Sequence, residues 1–82
     1  MRYRCEVYIS PRADILDPQG DAVTTALHNL GYGEAGNVKI GKYITLDVEA
    51  ADADAARQRL EAMCRQLLAN PIIEDFRIEV KG

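Results

Sequence analysis

The residues with the most reactive side chains are Cys5, Cys64 and His28. A nucleophilic cysteine needs a base and an orienting group within hydrogen-bond reach. Both cysteines fall on the apolar faces of their predicted elements, where a free thiol packs as a small hydrophobic group. His28 lies just off the apolar stripe of the first predicted helix and cannot complete a zinc site with them. We therefore predict no catalytic residue and no metal site, and the cysteine spacing does not signal a disulfide.

Two pairs of carboxylates are the next candidates for chemistry. Glu74 and Asp75 are adjacent on a predicted strand and therefore point to opposite faces. They cannot act on one substrate as an acid and base, which leaves salt bridges, capping or contacts with a partner. Asp14 and Asp17 flank a loop, but two acids without a third ligand are weak grounds for a calcium or magnesium site. The favoured role of Asp17 is to cap the helix that follows.

The glycines of residues 31–36 spell GxGxxG. In a dinucleotide site this pattern follows a strand and opens a helix, so that the pyrophosphate meets helix N–H groups. Here it follows a predicted helix and precedes an extended segment. We interpret it as a helix end with a flexible turn, and predict no cofactor in this chain.

Composition excludes other classes of function. Thirteen acidic and ten basic residues are interspersed, giving a formal charge of −3. Nucleic-acid binders usually carry a basic patch, so we expect no nucleic-acid partner. No apolar run approaches the roughly 20 residues of a membrane span, and the first residues lack the apolar stretch of a signal peptide. We expect a cytoplasmic protein without membrane association.

The first helix has clear signals at both ends. Asp17 is a favoured N-cap, and Pro18 fits the first helical position because no internal N–H bond is lost there. An apolar stripe at helical spacing follows. Gly31 stands where a left-handed residue commonly ends a helix. These signals predict a helix over residues 18–30.

The remaining elements are read in the same way. Alternating apolar and polar residues predict half-buried strands over 2–10 and 72–80. Between them, a second helix begins after Asp52 or Asp54. It ends at Asn70, which we expect to be left-handed before Pro71.

The middle segment, residues 37–49, is extended but interrupted by Gly41 and Lys42. Its apolar residues keep one parity, whereas a two-residue hairpin would move them to opposite faces. Either one long strand, bulged at Gly41, or an odd-length loop explains this. One strand of this length would span roughly 43 Å, beyond a compact diameter of about 30 Å. Such a strand would project beyond its own domain and need a partner. For Lys42, at the interruption, two roles are considered: a solvated side chain, or a pair with an acid of a partner chain.

The order β-α-β(β)-α-β predicts an α+β fold. We expect one domain over residues 1–82, with a mainly antiparallel sheet, two helices on one face and a long central strand used in oligomerisation. A chain this short buries a marginal core. Small domains add disulfides, a metal or oligomerisation, and oligomerisation is the expectation here, with dimer and tetramer both open.

Several segments, in this order and spacing, resemble the PurS family. They include LDPQG at 16–20, VKIGKY at 38–43 and CRQLLANPIIEDF at 64–76. The resemblance covers nearly the whole chain, although Pro11 and Arg12 depart from the family's usual Leu and Lys. PurS is the small subunit of phosphoribosylformylglycinamidine synthase, a glutamine-dependent, ATP-driven C–N ligase of purine biosynthesis.

The resemblance implies a role in assembly. A glutaminase subunit releases ammonia, and a large synthetase subunit binds ATP and Mg. The small subunit is expected to pair with itself, to dock the other two and to support ammonia transfer, without catalytic activity of its own. The residues predicted to matter for assembly are Asp17, Gln19, Gly20, Gly41, Lys42, Asn70, Glu74 and Asp75.

Two other functions are compatible with the same pattern. A ferredoxin-like regulatory module would bind a small molecule in a pocket at a dimer interface, and an amino acid or nucleotide would stabilise it against heat. A bare dimerisation domain would bind only itself. Co-purification with a glutaminase and an ATP-dependent synthetase separates the assembly hypothesis from both.

Overall fold

The computed structural model describes residues 1–81, and their order of elements is the predicted one. The strands are β1 (Arg2–Pro11), β2 (Lys42–Glu49) and β3 (Glu74–Lys81), and the helices are α1 (Pro18–Asn29) and α2 (Ala53–Met63). A π-helical turn, Cys64–Leu68, continues α2. The α+β class is confirmed. β1 runs one residue past the expected end, because Pro11 occupies the last paired position, opposite Glu74.

The three strands form one antiparallel sheet in the order β2-β1-β3. Val7 of β1 lies opposite Ile44 on one side and Ile78 on the other. The alternation in sequence thus gives the sheet one apolar and one polar face. β2 and β3 each leave one edge without a strand neighbour among residues 1–81.

The core lies between the apolar face of the sheet and α2. Leu60 and Cys64 are fully buried there against Val7 and Cys5 of β1. Asp52, rather than Asp54, caps α2 by accepting a hydrogen bond from the Ala55 N–H at 2.7 Å. Packing of this one helix onto the sheet supplies the hydrophobic stabilisation of the chain.

α1 does not lie where the sequence analysis places it. We expected both helices on one face of the sheet, but only α2 packs there. Within α1, Gly20 alone is buried. The described chain is 51 Å long with a radius of gyration of 16.2 Å, against about 12 Å for a compact domain of this length. The amphipathic stripe of α1 did not show whether the chain's own sheet would cover that face.

The middle segment also differs from one long strand. β2 covers only Lys42–Glu49, and we name residues 37–41 the strap. The strap begins at Asn37, which is left-handed (φ 55°). The backbone N–H of Val38 bonds to Thr24 in α1 and that of Ile40 to its N-cap Asp17, instead of to a neighbouring strand. Shared parity therefore could not show where the strand begins.

Two helix ends test the capping rules. α1 ends at Asn29, one residue before the predicted end, and Gly31 is left-handed (φ 101°), as predicted. The left-handed conformation expected for Asn70 is wrong, because among non-glycine residues described only Asn37 has a positive φ. Asn70 instead turns the chain with its side chain, whose Oδ1 accepts from the Ile72 N–H at 3.1 Å.

Candidate functional site

The residues predicted for assembly converge at one end of the sheet, where β1 ends and β2 and β3 begin. We name this region, residues 11–20, 38–42 and 70–75, the junction. Asp17, Gln19, Gly41, Lys42 and Glu74 line an open cleft of about 260 Å³ there. Gly20, Asn70 and Asp75 bond with or border these residues, as described below. The fold thus brings together residues that are far apart in sequence.

Asp17 connects two segments of the junction. It is only 9% exposed. Oδ1 accepts from the Gly20 N–H at 3.1 Å and caps α1, and Oδ2 accepts from the Ile40 N–H at 2.9 Å. The Ile40 N–H, followed by the Gly20 N–H, lowers the pKa of Asp17. This carboxylate is therefore ionised and committed to backbone donors, which is a structural role.

Gly20 and Gly41 are required by close backbone contacts. A Cβ at Gly20 would overlap the Val38 carbonyl oxygen, and one at Gly41 would overlap the Ile9 carbonyl oxygen. Neither glycine has a positive φ, so space rather than backbone conformation selects the residue type. The strap thus lies directly against α1 at one end and against β1 at the other.

Lys42 and Glu74 face each other across the junction. The Lys42 Nζ lies 3.9 Å from Glu74 Oε2, and Glu74 Oε1 accepts from the Asn70 N–H at 2.8 Å. The acid beside Lys42 therefore belongs to the same chain. Because the Lys42 side chain is largely exposed, this ion pair contributes little free energy by itself, and its Nζ remains accessible at the rim of the cleft.

Arg12 fixes the loop before α1 and was missed by the sequence analysis. Its Nε lies 3.5 Å from Asp75 Oδ1, and a guanidinium N–H donates to the Pro71 carbonyl oxygen at 2.6 Å. Its backbone N–H donates to the Ile73 carbonyl oxygen at 3.0 Å. Only the pairing of β1 with β3 brings these groups together, so no local pattern could have revealed them.

Apolar side chains surround the cleft. Ile15, Leu16, Ile40 and Ile73 contribute to its lining. Leu16 is 78% exposed, and nearby in the chain Ile72 is 79% exposed. Gln19 is exposed at the same rim. Large exposed apolar side chains beside polar ones are typical of surfaces that bind another protein.

A second exposed apolar surface lies along α1. Val23, Ala26, Leu27 and Leu30 share one helix face by their spacing, and Leu30 is 73% exposed. Tyr32, in the loop after α1, is also exposed. We name Val23, Ala26, Leu27 and Leu30 the arm stripe. The chain therefore carries two apolar surfaces, one at the junction and one on α1.

The outer face of the sheet carries a polar network that the sequence analysis did not single out. Tyr43 of β2 donates its hydroxyl hydrogen to Glu6 of β1, and Lys81 of β3 lies 3.0 Å from the same carboxylate. The Tyr43 hydroxyl, followed by the Lys81 ammonium, lowers the pKa of Glu6. Glu6 thus ties all three strands. The alternating pattern of β1 predicts that Glu6 lies on this face, but its partners depend on the register of the three strands.

The two cysteine thiols and the imidazole of His28 lie in different surroundings. Cys5 and Cys64 are fully buried, and burial raises the pKa of both thiols, which favours the protonated form. The His28 ring Nε2 lies 2.6 Å from the Ala35 carbonyl oxygen. Within residues 1–81 no three His, Cys, Asp or Glu residues are grouped to hold a metal ion, and no helix there could cross a membrane.

Taken together, these observations describe an α+β chain with a three-stranded sheet and two exposed apolar surfaces, one at the junction and one along the arm stripe. A model of the PurS family, described as phosphoribosylformylglycinamidine (FGAM) synthase, matches residues 4–82. The chain belongs to this family, which provides a subunit of an enzyme of purine biosynthesis.

Individual relatives agree over nearly the whole chain. The PurS subunit of phosphoribosylformylglycinamidine synthase from Synechocystis is 47% identical over 78 residues, 95% of this chain and 78% of that protein. The crystal structure of Bacillus subtilis PurS is 46% identical with a TM-score of 0.88, and the match covers 98% of this chain and 99% of that chain. A chain from a structure of PurLQS from Thermotoga maritima has a TM-score of 0.88 over 98% of both chains, at 24% identity, and so shares the fold.

Proposed function

We propose that this chain is an assembly subunit of phosphoribosylformylglycinamidine synthase. It binds itself, a glutaminase subunit and a large synthetase subunit, supports ammonia transfer between them, and contributes no catalytic residue. ATP and Mg are bound by the synthetase subunit. The observation that carries the proposal is that the chain exposes two apolar surfaces while its cysteine thiols are buried.

The total surface supports this proposal. The chain exposes 5778 Å², whereas a compact monomer of 9.1 kDa exposes about 4,900 Å². The excess is roughly 900 Å², close to the roughly 800 Å² that each partner buries in a standard protein interface. A chain of this shape thus carries about one interface of additional surface.

We assign the arm stripe to contact with a second copy. α1 has an apolar face that its own sheet leaves exposed, and a symmetric pair can bury the same patch on both copies. The free edges of β2 and β3 offer a further surface for growth from a dimer to a tetramer.

We assign the junction to the larger subunits. Its apolar side chains surround a cleft whose rim carries Lys42 and Gln19. Its deepest carboxylates, Asp17 and Glu74, bond to the chain's own backbone. Groups engaged in this way favour a protein contact over the alternative, a regulatory module that binds a small polar ligand. The T. maritima structure is one of PurLQS, a name that denotes an assembly, and it supports a similar arrangement here.

We also propose a cytoplasmic location. Cys5 and Cys64 are free thiols, and unpaired cysteines are the rule in the reducing cytosol.

The test is reconstitution with the glutaminase and synthetase, with glutamine and nucleotide present. We expect Ile72→Asp to reduce co-elution and glutamine-dependent synthesis at least tenfold, because it places a charge in an apolar contact. Synthesis driven by added ammonia should persist, since it bypasses the glutaminase. Gln58→Asp introduces the same residue on the exposed side of α2 and should have no effect.

The result that would overturn the assignment is unchanged co-elution and synthesis with folded Ile72→Asp. Thermal stabilisation of the isolated chain by glutamine, an amino acid or a nucleotide would instead support the regulatory module.

A further inference from the structure

The direction of α1 relative to the sheet needs a physical cause. α2 is held by side chains buried in the core, but α1 does not pack on any strand of the described chain. Two backbone connections join it to the sheet: the loop 12–17 from β1, and the strap that leads back to β2. Whatever orients α1 must therefore act at its first turns, where these two connections meet.

The strap runs along those first turns and bonds to them at two points. The Ile40 N–H donates to Asp17 Oδ2 at 2.9 Å, and the Val38 N–H donates to Thr24 Oγ1 at 3.3 Å. The Thr24 hydroxyl donates in turn to the Gly20 carbonyl oxygen at 3.1 Å. Between the two bonds, the Val38 carbonyl lies against Gly20, where only glycine leaves room. Bonds at two separate points fix a direction, whereas a single bond would leave a pivot.

The other end of the strap contacts the sheet. Gly41 lies against the Ile9 carbonyl oxygen, and the next residue, Lys42, is paired with Ile9 in the β1–β2 ladder. The strap thus starts on α1 and ends on the central strand. A movement of α1 relative to the sheet must either pull Lys42 out of the ladder or break the two bonds of the strap to Asp17 and Thr24.

We propose that Asp17 and Thr24 form a latch that holds α1 in one direction through the strap, and that breaking the latch lets α1 swing while the sheet and α2 stay folded. The energetics favour such local opening. Asp17 supplies charge-assisted bonds, which are about twice as strong as neutral ones, but within the single chain no large apolar contact opposes the swing. Parts of a fold with few buried apolar contacts open at lower free energy than the core.

Asp52 provides a matched control. It caps α2 as Asp17 caps α1, with Oδ1 accepting from the Ala55 N–H. It is exposed, however, and α2 is oriented by buried Leu60. Loss of either carboxylate weakens a helix cap, but only loss of Asp17 also releases the strap.

The experiment measures the distance between spin labels on α1 and α2. Labels are attached through Thr25→Cys and Arg57→Cys, at exposed positions, while the native cysteines are buried. Labelled chains are diluted with excess unlabelled chain so that only distances within one chain are read. We expect one narrow distribution, broadened at least twofold by Asp17→Asn. Asparagine keeps one acceptor oxygen but presents an NH₂ group, which cannot accept, to the second N–H donor. Thr24→Val should broaden it less, and Asp52→Asn not at all.

A distribution as narrow with folded Asp17→Asn as without it would overturn the latch. If that variant does not fold, hydrogen exchange of the unmodified chain decides. Because one carboxylate holds both amides, those of Gly20 and Ile40 should have protection factors within about threefold of each other, below that of Val7. A tenfold difference between Gly20 and Ile40, or protection equal to that of Val7, would overturn it.

The latch has a consequence for assembly that rests on the proposed self-association. In sedimentation, Asp17→Asn should weaken self-association at least tenfold, because a mobile α1 presents the arm stripe in many directions. Asp52→Asn should not weaken it. A wild-type chain that stays monomeric would contradict self-association alone, since the spin-label distances judge the latch independently. Unchanged self-association of Asp17→Asn would contradict the link between the two.

Discussion

The two helices begin alike and are stabilised differently. Both are preceded by an aspartate that caps the first turn, and both carry an apolar stripe. α2 buries Leu60 completely in the core, whereas Leu30 beside α1 is largely exposed. The difference shows that amphipathic spacing identifies the apolar face of a helix but does not determine whether the chain's own core covers that face.

The two helices are also positioned by different forces. α2 is held by close packing, which resists displacement in every direction. α1 is held at one end by directional hydrogen bonds to the strap. We infer that the chain has a rigid part, the sheet with α2, and an adjustable part, α1 with the strap. Four experiments test this contrast.

Leu60→Ala should have the largest effect. Leu60 is fully buried between α2 and the sheet, and truncating such a side chain costs about 2–5 kcal/mol because it loses contacts and leaves a cavity. Urea unfolding of the chain at a fixed low concentration measures this free energy. Leu67→Ala removes the same atoms from an exposed position of the π-helical turn and should cost less than about 0.5 kcal/mol. Equal losses for both variants would contradict the core described here.

Gly41→Ala should follow. The added methyl group would overlap the Ile9 carbonyl oxygen, and overpacking of this kind costs about 1–3 kcal/mol. Gly33→Ala is the control, because its added methyl group would meet nothing within 4 Å. The free energy of unfolding should drop for Gly41→Ala and change little for Gly33→Ala. An unaffected Gly41→Ala would mean that the strap does not touch β1.

The sequence predicted the parts that local chemistry determines. Asp17, Pro18 and Gly31 marked both ends of α1 to within one residue, because capping depends on neighbouring residues only. The alternation in β1 identified the buried face of the sheet. Asp17 and Glu74 were both predicted to matter for assembly, but their grouping at one junction was not predicted, since nothing local relates residues so far apart.

The sequence could not predict features that depend on three-dimensional register. One of the two interpretations of residues 37–49 placed the strap within a long strand, because parity shows which way side chains point, not where backbone N–H groups bond. Arg12 was passed over because its partners, Pro71 and Asp75, reach it only through the β1–β3 pairing. Asn70 was expected to be left-handed, but its side chain made the turn instead, as asparagine readily does.

Leu30→Ser tests the adjustable part. Leu30 is largely exposed in the single chain, so its replacement should change unfolding at low concentration by less than about 0.5 kcal/mol. If a second copy covers the arm stripe, self-association should weaken at least tenfold, which corresponds to about 1.4 kcal/mol. Sedimentation over a concentration series measures the monomer and the associated form. Arg57→Ser, on the exposed side of α2, should leave association unchanged, and equal association by Leu30→Ser and the unmodified chain would remove the arm stripe from the interface.

The smallest expected effect is the contribution of Asp17 to stability in acid. Hydrogen bonds from the Ile40 N–H, then the Gly20 N–H, lower its pKa in the folded chain. Its stabilising contribution is therefore fully present above the unfolded value, near about pH 4, and is lost as the pH falls through the lower folded value. Asp17→Asn should be less stable than the unmodified chain at pH 7, with the difference shrinking as the pH falls below about 4. Because the pKa of Glu6 is also lowered, the Asp17→Asn variant should still lose stability in acid. Adding Glu6→Gln to Asp17→Asn should reduce the dependence of stability on pH further. Urea midpoints from pH 7 to pH 2 measure this, and a constant difference between the Asp17→Asn and unmodified curves would show that the latch does not depend on the ionised carboxylate.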